Sequence, residues 1–541
     1  MSPKFNKPGV RARAIGPVTT TGATTTYEGG AAWTRDARSE LVLLAVVNMV
    51  SERTFYESAQ DRDSRFARLC SQVAVEDGAW YLAFVTWLRG EANMRSASLV
   101  AAAVGVKARL AVIKDSDEPR EQADGFNRKI VSAAIQRPDE PGEFLAYWHT
   151  HYGRNLPMPV KRGLGDAAQR MYNERALLKY DTESHAVRFG DVVDLVHPVP
   201  SAPWQSDLFA YALNRRHGYA AQVPESLVMV TGNRMFRETV REHPSVLLDP
   251  QALRDAGMTW EDALSMSGQV VASPLNKITK AGVWEAMIPS MGIMALLRNL
   301  RNFDEAGVSD KAAQLVISKL SDPEVIARSR QFPYRFLSAY RAAPSLRWSY
   351  ALEQALDASL SNVPRFKGRT LVLVDTSGSM KDTVSDKSSV RHVDVGALVG
   401  VTLAARSEGP VDLVQFATTW AQVHLPKATS VLKGVELVNN KVNSVGYGTN
   451  TAQALRASYA GHDRVVIVTD GQAFYAWGGG SVSGSVPANV PLFGIDTTGY
   501  SASSIDTSKP NRYEVGGFSD KLFTMISLLD SGQSATWPWE K

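Results

Sequence analysis

The sequence predicts a two-part protein: stacked helix pairs over its first two-thirds, then an α/β domain built on a parallel sheet with helices on both faces. Three observations carry this. From Ser39 to about Leu360, apolar residues recur at i, i+3, i+4 and i+7, and alternating β pattern is scarce. Near Pro364 the texture changes to short branched apolar runs separated by helix patterns. The 541 residues are 44% hydrophobic and 21% charged, a globular composition that excludes a disordered or collagen-like chain.

Residues 1–30 are rich in Thr and Gly, begin with Lys4, Lys7, Arg11 and Arg13, and read as a loosely ordered arm. Helices are expected at SELVLLAVVNMVSE (39–52), AWYLAFVTWLRG (79–90), EFLAYWHTHYG (143–153), SDLFAYALNRRHG (206–218) and MGIMALLRNLRNF (291–303). Breaks such as Pro138, Pro157, Pro198, Pro250 and Pro323 separate them. No repeat is strict enough to count.

In the second part, RTLVLVDTS (369–377), VDLVQFAT (411–418), RVVIVTD (464–470) and VPLFGID (490–496) read as buried strands. Helices are expected at 391–407, from 451, and at 519–529. Ligands of such sheets sit beyond the carboxyl ends of the strands.

The net charge is +4, too even to indicate nucleic-acid binding by itself. All of it lies within residues 1–365; residues 366–541 are balanced. Cys70 is the only cysteine, which excludes an intrachain disulfide and a cysteine-based zinc site and suits a reducing cytoplasm. Met1–Gly30 has no apolar h-region, so no signal peptide is expected. LVLLAVVNMV (41–50) is too short to span a bilayer and reads as a core helix.

The strongest local signal is DTSGS directly after a buried strand. Asp375, Ser377 and Ser379 can point alternate oxygens at one spot. A carboxylate with two hydroxyls suits a hard divalent cation, Mg²⁺ above all. Thr449 in the loop GYGTN and Asp470 at the end of RVVIVTD can converge on the same sheet edge. The plainer reading is a Ser/Gly-rich turn capping a helix, with Asp470 as an N-cap. Nucleotide hydrolysis is disfavoured, because no G-x-x-x-x-G-K-[ST] is present, and Ser377 lacks a G-x-S-x-G frame.

This second part resembles the von Willebrand factor A fold, in which a D-x-S-x-S loop, a Thr loop and an Asp loop form a metal-ion-dependent adhesion site. The resemblance implies Asp375, Ser377, Ser379, Thr449 and Asp470 as ligands, with Asp470 acting through water and an open position left for a partner's carboxylate. The whole layout resembles the Ro autoantigen (TROVE-domain) family. GEANMRSASLVAAA (90–103), QRPDEPGEFLAYW (136–148), PVKRGLGDAAQRMYNERALLKY (159–180), FGDVVDLVHP (189–198) and VWEAMIPSMGIMALLRNLRNF (283–303) carry that likeness. Beyond the flexible arm read over 1–30, it implies a ring of HEAT-like helical repeats over 31–365 closed by the A domain, and the von Willebrand factor A-like domain over 366–541. It also implies small noncoding Y-like RNA on an outer basic surface and single-stranded 3′ ends of misfolded RNA in a central hole. Polynucleotide phosphorylase or another ribonuclease is an implied partner, and an acidic protein ligand is implied at the metal site.

Candidate RNA contacts follow from the basic residues. Tyr152–Gly190 holds seven basic and four acidic side chains, among them Lys161, Arg162, Arg170, Lys179 and Arg188. They suit phosphates, or else form a solvated helix face with i,i+4 pairs. Arg298, Asn299 and Arg301 suit phosphate and base edges, or else hold neighbouring repeats through buried hydrogen bonds. Arg95 has the same two readings, and Lys277 and Lys280 belong to the candidate basic surface. His149 and His151 read as polar helix-end residues. Vertebrate members of the family carry a basic His before the segment that begins here at Asp191; this chain reads Arg188-Phe189-Gly190, with Arg188 as the substitute. The expectation is a non-enzymatic, cytoplasmic RNA-binding protein, without a membrane segment and monomeric within a ribonucleoprotein. The alternative is a metal-dependent protein-interaction adaptor.

Overall fold

Six strands of alternating and continuous apolar pattern assemble into the larger sheet of the computed structural model. The structure describes residues 14–47, 50–112, 120–219, 222–270, 278–343, 345–361, 363, 365–426, 429–474, 480–517 and 521–540. The strands are β1 (Thr20–Thr25), β2 (Ala31–Arg35), β3 (Thr370–Asp375), β4 (Val411–Phe416), β5 (Trp420–Gln422), β6 (Arg464–Thr469), β7 (Leu492–Asp496), β8 (Ala502–Ser503) and β9 (Arg512–Gly516). β3 and β6 are buried at every residue, which is why they read as unbroken apolar runs rather than alternating ones.

The larger sheet has the order β5-β4-β3-β6-β7-β9, parallel except for the β4–β5 hairpin at one edge. β3 lies centrally: the chain turns to β4 on one side and returns to β6 on the other. The switch point therefore falls between β3 and β6, where doubly wound sheets open a crevice at their carboxyl ends. The helix His392–Arg406 covers this region closely. A Cβ on its Gly400 would stand 2.7 Å from Val374 Cγ2, so glycine sets the approach.

The chain divides into two compact units. One comprises Met1–Leu69, Phe332–Ser338 and Leu356–Lys541; the other comprises Cys70–Gln331 and Ala339–Ala355. The expected boundaries at residues 30 and 365 differ from this division, for a physical reason. β1 and β2 form an antiparallel hairpin, and β2 pairs with β8. Arg35 at the end of β2 is buried, and its Nε and Nη2 donate to the Glu514 carboxylate on β9 at 2.7 Å each. Its Nη2 also reaches Asp496 on β7 at 3.1 Å. Arg62 and Arg65 donate to the carbonyls of Thr498 and Gly499, each at 2.9 Å. Residues 14–30 are therefore built into the sheet unit rather than forming a loose arm, while residues 1–13 lie outside the described residues. Ala37–Ala45 is the buried helix expected from LVLLAVVNMV.

The second unit is helical. Gly78–Gly90, Arg120–Ala134, Met158–Met171, Phe189–Val196 and Pro203–His217 pack in succession; Arg95–Val112 and Glu140–Tyr152 form a neighbouring layer. Gly163 permits one of these contacts, because a Cβ there would meet Val131 Cβ at 2.7 Å. Segments far apart in sequence also meet. Arg330 Nη1 donates to the carbonyl of Gly90 at 2.6 Å, and Asn93 Nδ2 donates to the carbonyl of Arg330 at 3.2 Å. Among the described residues no helix is long and apolar enough to cross a membrane.

Two outcomes are expected. Cys70 is fully buried, and burial pushes its thiol up to about 12, so an aromatic disulfide reagent at pH 8 should leave the folded chain unlabelled and titrate one thiol only after denaturation. Arg35→Ala should lower unfolding stability by about 3–5 kcal/mol in denaturant titrations, since it strands Glu514 and Asp496 without their buried counter-charge.

Candidate functional site

Asp375 ends β3, and Asp470 follows the last residue of β6, so two carboxylates flank the switch point. Asp375, Ser377, Ser379, Thr449 and Asp470 are all at most 5% exposed. The structure brings all five predicted oxygen donors onto three neighbouring loops. Backbone bonds tie those loops together: Gly378 N donates to the Tyr447 carbonyl, and Phe474 N to the Thr449 carbonyl, both at 2.9 Å. Two glycines make the middle loop feasible. Gly446 has φ of +91°, and a Cβ on Gly448 would lie 2.4 Å from the Phe474 ring.

Within this cradle Asp375 is well served. Its Oδ1 accepts from Ser377 N at 2.9 Å, and its Oδ2 accepts from Thr469 Oγ1 at 2.7 Å. The Ser377 and Ser379 hydroxyls lie 3.3 Å apart. Asp470 is different. Its Oδ1 accepts from Gln472 N at 3.0 Å, but its Oδ2 is buried with no hydrogen-bond partner. Burial raises the pKa of both carboxyls; Asp470 is raised further by the charge of Asp375 and drawn back by Ser379 and Gln472, while Thr469 and Ser377 pull Asp375 back. Two buried carboxylates, one with an orphan oxygen, beside three hydroxyls make an oxygen-only donor set that could hold a hard cation. Among the described residues no group of three or more His, Cys, Asp or Glu could hold a metal ion, so this set depends on its hydroxyls. Thr469 is the residue that sequence reasoning missed: inside an apolar strand, its hydroxyl carried no signal that it orients Asp375.

The predicted RNA contacts divide sharply. Lys161 is half-buried, while Arg162, Lys179, Lys280, Arg298 and Arg301 are exposed. Arg301 pairs with Glu305 one turn on at 3.3 Å, and Lys179 lies over the Tyr180 ring. Asn299 is corrected: it is 1% exposed, its Nδ2 donates to the Ala295 carbonyl at 2.8 Å, and its Oδ1 accepts from Asn302 at 2.7 Å. Its bonds are buried but lie within its own helix, so it neither reaches RNA nor ties neighbouring repeats through them. Arg188 is likewise corrected. Its side chain is buried against Asp181, with Nη2 2.8 Å from Oδ2, so it does not replace a surface His. Arg95 meets Asp139, Glu140 and Glu143 within 3.1 Å, which cancels its field. Arg170 donates to the Ile135 carbonyl at 2.7 Å. Lys277 lies outside the described residues. Half-buried His149 and exposed His151 sit at the end of their helix, each beside a backbone carbonyl, as expected of polar end residues.

A family model described as the TROVE domain matches residues 257–349. Among curated proteins, RNA-binding protein RO60 of Deinococcus radiodurans is 29% identical over 220 residues, 36% of this chain and 40% of that protein. The RO60 of Caenorhabditis elegans is 27% identical over 191 residues, 32% of this chain and 29% of that one. The chain is thus similar to the TROVE domain over residues 257–349 and to RO60 proteins over about a third of its length. Telomerase protein component 1 of Mus musculus is also similar to this chain, 38% identical over 90 residues, 16% of this chain and 3% of that protein. The matches thus span well under two-thirds of these relatives. The crystal structure of the Deinococcus radiodurans RO (RSR) protein superimposes with a TM-score of 0.59 at 19% identity, covering 91% of this chain and 100% of that one, so the two share a fold.

Asp470→Asn removes one of two facing buried carboxylates. In chelator the variant should melt above the wild type; added magnesium should raise the wild-type midpoint and leave the variant unmoved. Calorimetry with and without magnesium reads both, and a wild-type midpoint indifferent to the ion counts against a cation site.

Proposed function

We propose that this chain is a non-enzymatic RNA-binding protein of Ro type. It holds a small Y-like RNA on the basic surface of its helical unit and admits single-stranded 3′ ends of misfolded or decaying RNA to the hole of a HEAT-like ring, in RNA quality control. The observation that carries this is the basic group of half-buried Lys161 and exposed Arg162 and Lys179 on two successive helices, Met158–Met171 and Glu174–Tyr180. Two relatives bear the name RNA-binding protein, which agrees with it. The bonds between Arg330 and the Gly90–Asn93 turn, 240 and 237 residues apart, favour a closed helical unit over an open one. Lysine and arginine there neutralise phosphates by releasing counterions, and RNA specificity then falls on unpaired segments.

The sheet unit belongs to a second part of the same reading. Its doubly wound topology and its DTSGS loop favour a von Willebrand factor A-like domain with Mg²⁺ held by Asp375, Ser377, Ser379, Thr449 and Asp470. The orphan Asp470 oxygen also favours the adaptor reading, in which a metal-dependent contact recruits an acidic protein such as a ribonuclease to the bound RNA. A monomer acting in a cytoplasmic ribonucleoprotein fits both.

Binding of a small structured RNA, titrated across salt concentrations, tests the reading. Affinity should fall steeply with salt; the triple change Lys161→Ala, Arg162→Ala and Lys179→Ala should weaken binding and flatten the log–log slope by about one for each phosphate no longer neutralised. Asp470→Asn should leave both untouched. A wild-type chain that binds no RNA at low salt refutes the proposal.

A further inference from the structure

The helix Glu140–Tyr152 ends in a group of rings. Tyr147 and His151 stand one turn apart and share a face. Their ring centroids lie 4.0 Å apart with 23° between the planes, a stacked pair. His151 Nδ1 also lies 2.9 Å from the Tyr147 carbonyl, an oxygen that can only accept, so a donated bond holds the imidazole as well as the stack. Tyr152 meets Tyr147 edge-on at 6.4 Å and the buried Trp148 edge-on at 5.0 Å. Tyr147 and Tyr152 are half-buried, and His151 is exposed. Packing accounts for Trp148 and the two tyrosines. It does not account for a ring held in one orientation at the surface, backed on one face and open to solvent.

The surroundings of this ring are basic. No Asp or Glu lies between Glu143 and Asp166. Those two flanking acids are engaged elsewhere, Glu143 with Arg95 at 2.5 Å and Asp166 with Arg128 at 2.6 Å. Lys107, from the helix Arg95–Val112, places its ammonium 5.5 Å from the centre of the Tyr152 ring. Beyond Gly153, whose φ is +80°, the chain turns, and Trp148 Nε1 fixes that turn by donating to the Asn155 carbonyl at 3.1 Å. The turn carries the exposed Arg154 and leads into the helix of Lys161 and Arg162. Arg154, Lys161 and Arg162 have no acidic partner among the described residues. Rings on which bases stack, beside cations that follow the backbone, are the means by which proteins hold single strands. Bases within a duplex already stack on one another, so the matching ligand is unpaired.

Resting on the RNA reading above, we propose that His151, backed by Tyr147, is a stacking platform for an unpaired nucleobase of single-stranded RNA, with Arg154 and Lys107 as the cations beside it. The platform adds a base contact to a helical surface whose Lys161 and Arg162 offer phosphate contacts alone. It accepts any base, because every base has a π-face. The stack on Tyr147 and the bond to its carbonyl fix the imidazole beforehand, so binding orders little that is not already ordered.

Fluorescence anisotropy of the full chain with two labelled probes tests this: a short single-stranded oligoadenylate, and a matched strand in which abasic nucleotides replace the adenylates. The wild type should prefer the oligoadenylate. His151→Ala should bind the oligoadenylate about tenfold more weakly and the abasic strand as the wild type does. Its salt dependence should stay that of the wild type, because no phosphate contact is removed. His151→Phe, which keeps a ring and loses both ring nitrogens, should bind the oligoadenylate close to the wild type. Unchanged affinity in His151→Ala, an equal loss on both strands, or a loss in His151→Phe as large as in His151→Ala overturns the platform. The small structured RNA separates the two levels. A wild type that binds it but not the oligoadenylate overturns the platform alone; one that binds neither at low salt overturns the RNA reading, and the platform with it.

Discussion

The sheet unit depends on one buried guanidinium. Arg35 leaves β2 and enters a space lined by Glu514 and Asp496, where it is the counter-charge for both. Desolvating three charges is costly, and only close, well-directed hydrogen bonds offset it. The return is positional: β2 is fixed against β7 and β9, which sets the hairpin, and the hairpin in turn clamps Gln472 and Ala473 after Asp470. The geometry of the candidate metal loops is thus referred back to a residue of the N-terminal segment that takes no part in their chemistry.

The same unit holds a contrasting pair of buried acids. Asp496 and Glu514 face a guanidinium and are satisfied within the fold. Asp375 and Asp470 face hydroxyls and one another, and one Asp470 oxygen has nothing to accept from. Proteins concentrate such unfavourable arrangements at working sites, where a ligand relieves them. Electrostatic strain of this kind marks these loops as the candidate site of the sheet unit.

Legibility followed the partners of each residue. TLVLVD and RVVIVT declare themselves because a strand covered on both faces needs apolar side chains throughout. RYEVG did not, since two of its five residues are charged; yet both are buried, Glu514 against Arg35 and Arg512 among the carbonyls of Ser483, Val486 and Val490. The Thr- and Gly-rich stretch at 20–30 looked loose because the partners that order it lie in the C-terminal third. Likewise Arg162 and Arg188 are the same amino acid in one basic segment. Only the placement of Asp181 reveals that the second is consumed internally. The oxygen donors of DTSGS were readable because their spacing is local, and Thr469 was not, because its role exists only across two strands.

Arg35 and Glu514 are 479 residues apart. On a ribosome adding about 5–20 residues per second, the hairpin emerges roughly 25–95 s before the strands it pairs with. Throughout that interval β2 presents an unpaired edge and a guanidinium without its acids, while the helical segment between them is already free to fold. The order of synthesis therefore makes the sheet unit the last to close, and makes its N-terminal strand the part of the chain most in need of protection while it waits.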